Sequence, residues 1–169
     1  MNWLRTIKTS SVLAFALATV VTASPLLANA AIKARAIDSL NDVESTEIYA
    51  IEGATSANTP EDIIAEIGKR IRQTYHIRGF DIDGYSHDPS TQQTALIELQ
   101  EKTGEFPGLS KDEQNAIQTW ATQHDVQRVE RLDLSVNYMG GTGLETIYLF
   151  IPKMPATEVL AVRAFWYRE

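Results

Sequence analysis

The fold class the sequence predicts is α+β: a two-layer sandwich in which a mainly antiparallel sheet of five or six strands carries two or three helices on one face. Three observations predict it. Two helix starts carry complete capping signals, at Thr59-Pro60-Glu61-Asp62 and at Ser110 with Glu113. After the second helix, three strand-like runs follow one another across short turns, which joins them as antiparallel neighbours. One of these runs, RVERLDLSVNY, alternates cleanly, with Leu132, Leu134, Val136 and Tyr138 on one side and Arg131, Asp133, Ser135 and Asn137 on the other. Such alternation belongs to a strand with one buried and one wet face.

The elements follow in order. Residues 1–30 read as a secretory signal: Arg5 and Lys8 form a basic head, SVLAFALATVVTA is the apolar run, and Ala28-Asn29-Ala30 is a small-x-small cleavage signature. Cleavage is expected near Ala30, and the mature chain should then hold no transmembrane segment. Residues 31–44 read as a flexible lead-in with weak helical spacing, and residues 45–169 as a single α+β domain. STEIYAIEG, from Ser45, alternates and is rich in Ile and Tyr, which predicts a strand. From Pro60 to about Tyr75, Ile64, Ile67, Ile71 and Tyr75 fall on one helical stripe. IRGFDIDGYS predicts the next strand.

The stretch from Asp88 to Gly104 reads two ways. Thr91 to Gln100 is a strand if Ala95, Ile97 and Leu99 share a face at period two. It is a helix, closed by Gly104, if ALIELQEKTG is taken at period 3.6. FDIDGYSHDPSTQQTALIEL aligns without gaps on LDLSVNYMGGTGLETIYLFI, each following a capped helix, and this internal similarity favours the strand. Ile117, Trp120, Ala121 and His124 form the stripe of the later helix. GGTG, residues 140–143, precedes a strand rather than a helix, so it predicts a hairpin turn and not a phosphate loop. LETIYLFIPK is apolar on both sides, as a central strand requires, and ATEVLAVRAFWYR is the last strand.

Composition narrows the function classes. Without Arg5 and Lys8 the mature chain carries 13 basic against 22 acidic side chains, a formal charge of −9. That surface repels phosphate backbones, so nucleic acid is not an expected partner. Lys69, Arg70, Arg72 and Arg78 cluster in KRIRQTYHIR and read as a solvated helix face. Cysteine is absent, which excludes disulfides, thiolate zinc sites and a thiol nucleophile.

The densest reactive composition is FDIDGYSHD. Asp81, Asp83, His87 and Asp88 are the candidate metal ligands, because DxDG echoes the opening of oxygen-ligand calcium loops. The continuation Tyr85-Ser86-His87 lacks the further acids of such loops. The plainer reading is a strand with Phe80 and Ile82 turned to the core and Asp81 and Asp83 turned to water, running into a turn. The three histidines, His76, His87 and His124, show no metal-binding helix spacing, and no GxSxG turn exposes a serine. No catalytic residue and no cofactor is assigned. His124, on an apolar stripe, reads as a packed helix-end histidine. Phe165, Trp166 and Tyr167 are the candidate partner-binding residues.

Two segments resemble known families. Glu98 to His124 is similar to the peptidoglycan-binding helical repeat in its Leu-Gln pair, glycine loop and late aromatic residue, although it is shorter after Gly104 and lacks the DGxFG turn. That resemblance implies an envelope-polymer ligand. The strand–helix–strand–strand order from Ser45 to Leu99 resembles small exported stress and biofilm proteins of the YhcN type, with Gln93-Thr94 replacing their glycine-threonine. It implies a stress-accessory role. The expected function is accordingly an exported, non-catalytic binding, inhibitory or accessory protein of the periplasm or exterior, whose partner is another exported protein or an envelope component. The alternatives are a small metal-dependent hydrolase using Asp81, Asp83, His87 and Asp88, and a peptidoglycan-binding module.

Overall fold

The structure is a computed structural model that describes residues 31–40, 43, 45–101, 108–138 and 141–168. Its elements are β1 (Lys33–Asp38), β2 (Thr46–Glu52), α1 (Pro60–Ile77), β3 (Asp81–Ser90), α2 (Gln92–Glu98), α3 (Lys111–Gln123), β4 (Val126–Tyr138), β5 (Gly141–Pro152) and β6 (Glu158–Arg168). The strands make one six-stranded sheet in the order β1-β2-β6-β5-β4-β3, antiparallel throughout. The α+β class and the antiparallel sheet agree with expectation. Residues 1–30, where a signal is expected, Gly104 and Gly140 of the GGTG turn lie outside the described residues; Gly141 of β5 already pairs with Tyr138 of β4.

Thr59 decides where α1 begins. Its hydroxyl accepts from the Asp62 backbone N–H while the Asp62 carboxylate accepts from the Thr59 N–H, and Pro60 occupies the first turn. At the other end Gly79, at φ +83°, donates to His76 O and Phe80 donates to Tyr75 O, a Schellman closure. Its hydrophobic contact is the edge-on packing of Tyr75 and Phe80, with ring centroids 6.1 Å apart. The chain is thereby turned directly into β3. Between these ends Ile63, Ile64, Ile67 and Ile71 are buried.

The helices do not share one face, and here the two-layer expectation is corrected. Ile147, Leu149 and Ile151 of β5 pack with the α1 isoleucines and with Leu132, Leu134 and Val136 of β4. Tyr148 and Phe150, pointing the opposite way, pack with Leu99, Ile117 and Trp120 beside α2 and α3. Neighbouring strand residues face opposite sides, so the doubly apolar β5 is buried between α1 on one face and α2–α3 on the other. The arrangement has three layers. Among the described residues no helix is long and apolar enough to cross a membrane.

Two local expectations are also corrected. Residues 92–98 form a helix, not a strand: Thr91 caps it through the Thr94 N–H, Ala95, Leu96 and Leu99 are buried, and Ile97 is 51% exposed. The i, i+1, i+4 burial is helical, and the strand favoured by the internal similarity of the two segments fails with it. Within the lead-in, Lys33–Asp38 form the edge strand β1, paired with β2 from Lys33↔Glu52 onward. Ala34 is its buried residue, and the strand is made by its neighbour rather than by its own propensity.

Candidate functional site

Glu130 lies on the same side of β4 as Leu132, Leu134 and Val136, and it is fully buried. A carboxylate in such a place needs partners for both oxygens. One oxygen receives His87 Nδ1 at 2.8 Å and the other receives Arg128 Nε at 3.0 Å. Arg128 Nη1 then reaches Glu61 Oε1 at 2.5 Å. Hydrogen bonding to Arg128 holds the exposed Glu61 carboxyl below its ordinary range, and the same bond raises Arg128. The chain Glu61–Arg128–Glu130–His87 thus ties α1 to β4 and β3.

Beside it, a cleft of about 310 Å³ opens between α1 and β3. Glu61, Gly68, Lys69 and Arg72 line one wall, Tyr85 and His87 the other. Gly68 is what lets the walls approach, since a Cβ there would stand 2.8 Å from the Tyr85 hydroxyl. The Arg72 guanidinium carbon lies 4.5 Å from the Tyr85 ring centroid, a cation–π contact. Burial raises the Tyr85 hydroxyl, and the Arg72 charge opposes that rise. His87 remains 46% exposed at its side chain. With a carboxylate on Nδ1, the neutral ring carries its proton there and leaves Nε2 available, an assignment that follows from the partner.

The sequence candidates separate. Asp81, strongly exposed, lies 3.4 Å from His76 Nδ1 at the start of β3. Asp83 sits at a bulge in the β3–β4 ladder, between Ile82 and Gly84, and accepts from Asn137 Nδ2. Asp88 is exposed opposite Arg131, while His87, opposite Leu132, turns to the other face. Phe80 and Ile82 pack against the core as expected. Among the described residues no group of three or more His, Asp or Glu side chains is placed to hold a metal ion. Phe165, Trp166 and Tyr167 belong to β6 by backbone pairing, and their side chains lie outside the described residues. His124 stacks on Trp120 at 4.0 Å and meets Trp120 O and Glu158.

A second buried charge cluster lies on the α1 face of β5, β6 and β2. Glu145 is 3% exposed, and its Oε1 is 3.7 Å from Arg163 Nε, within ion-pair range but too long for a hydrogen bond. Its Oε2 has no hydrogen-bond partner among the described residues. Arg163 instead donates to Glu47 at 2.8 Å, which also accepts from the Tyr49 hydroxyl at 2.7 Å. Burial pushes Glu145 up to about 7; Arg163 opposes that and Glu47 adds to it. Burial works against the Arg163 charge, but Glu145 and Glu47 outweigh it.

Glu130 and Glu145 were not singled out from sequence, yet a signal existed. Each occupies an apolar register position: Glu130 with Leu132 and Leu134, Glu145 with Ile147 and Leu149. A carboxylate out of step with the hydrophobic face of its own strand marks a buried charge. No family model matches the chain, nor does any curated protein or solved structure.

Proposed function

We propose that the protein is an exported, non-catalytic binding or accessory module whose contact surface includes the cleft between α1 and β3. The basic head, apolar run and Ala28-Asn29-Ala30 support export, and the formal charge of −9 argues for a partner other than nucleic acid. The observation that carries the non-catalytic reading is the dispersal of the reactive candidates. Asp81, Asp83 and Asp88 are spread along exposed positions, and His87 alone reaches the cleft. There it faces cations, an aromatic ring and helix side chains, without a serine or threonine among the lining residues. The partner is another exported protein or an envelope component. The peptidoglycan reading has less support, because Leu99 and Trp120, which carry that resemblance, are buried in the core.

N-terminal sequencing of the product from cells expressing the full chain should read Ala31 first. The same product should show no turnover of chromogenic ester, phosphate or peptide substrates. Retention of residues 1–30, or turnover that His87→Ala abolishes, refutes the proposal.

A further inference from the structure

We infer that the α1–β3 cleft holds a compact oxyanion, with Arg72 as its principal contact and His87 as a second. The inference rests on the binding reading above and names its ligand chemistry. Arg35, Arg70, Arg128, Arg131 and Arg163 each pair with a carboxylate. Arg72 has no ion pair among the described residues. It lies on the Tyr85 ring, which holds the guanidinium at the cleft wall with its N–H fork uncommitted. A planar fork of that kind matches carboxylate, sulfate or phosphate oxygens two at a time.

His87 adds a second contact on chemical grounds. Glu130 occupies Nδ1 at 2.8 Å, so Nε2 is the nitrogen left for a ligand. Neutral, that nitrogen only accepts; protonated, it donates to an anion. Lining the same cleft are Tyr85 from its own strand and Glu61, Lys69 and Arg72 from α1.

The test is titration of the protein with sulfate, whose charge is constant between pH 6 and pH 8, and separately with acetate, followed by amide chemical shifts. Saturable shifts should begin at Arg72, Tyr85 and His87. Sulfate should bind less tightly as sodium chloride rises. Arg72→Gln should weaken binding by about tenfold or more, the loss of one charge-assisted contact. His87→Ala should weaken it by less. Whichever anion binds better sets the geometry, planar carboxylate or tetrahedral; either order supports the inference. Failure of both to saturate, shifts that map elsewhere, or an unchanged Kd in folded Arg72→Gln overturns it. Should Arg72→Gln not fold, the shift map of the unaltered chain decides. Absence of anion binding leaves the non-catalytic reading standing, whereas turnover removes that reading and leaves anion binding intact.

Discussion

Raising the pH through neutrality should weaken this fold through one side chain, Glu145. Its carboxyl is buried, one oxygen lacks a partner, and its titration moves from 4.5 up to about 7. The folded state therefore holds the proton more tightly than the unfolded chain does. The resulting stability is fully present below about pH 4.5, declines as pH rises toward 7, and is lost above it. The span of the shift converts to about 3 kcal/mol at 1.36 kcal/mol per unit. Urea denaturation at half-unit steps from pH 5 to pH 8 measures this directly. Glu145→Gln keeps the shape of the protonated acid and cannot ionise, so its pH profile should lack this decline and it should be the more stable form at pH 8. Arg163 keeps Glu47 at 2.8 Å in that variant, so the substitution strands no charge. Parallel profiles for the two proteins, or a wild-type midpoint that climbs between pH 6 and pH 8, would refute the reasoning.

Three further outcomes are expected. Ile71→Ala, at a fully buried α1 position, should cost about 2–5 kcal/mol in chemical denaturation. Glu130→Ala removes the carboxylate that Arg128 and His87 share; Arg128 keeps Glu61 and both partners are partly exposed, so the change should cost about 1–3 kcal/mol, and Glu130→Gln should recover part of it. Gly68→Ala should be nearly neutral alone, because its gain of about 1 kcal/mol in helix propensity meets the Tyr85 hydroxyl at 2.8 Å. In a Tyr85→Phe background only the ring carbon at 3.2 Å remains, so the same change should be more favourable than in the parent, and equal effects in both backgrounds would remove the hydroxyl contact from the account.

The candidate site was legible only in part. His87 stands out in FDIDGYSHD, but its neighbours in that stretch drew attention for the wrong reason. The carboxylates beside it in sequence are dispersed by the strand's alternation and by the bulge at Asp83, whereas its actual partner, Glu130, lies 43 positions away. Arg72 looked like one of several solvated helix charges; only the approach of β3 over Gly68 makes it a cleft residue.

What the sequence by itself determined is local. Thr59 and Ser110 place two helix starts, and alternation in RVERLDLSVNY and the doubly apolar run LETIYLFIPK declare strands, because capping and side-chain period act within a few residues. What only the tertiary structure decided is which side each element joins. ALIEL has an apolar set compatible with either period, and packing on Tyr148 and Phe150 selects the helix. KARAID is too short and alanine-rich to declare a strand, and the open edge of β2 makes it one. α1 and α3 are both amphipathic, yet they take opposite faces, since a central strand that is apolar on both sides requires cover on both.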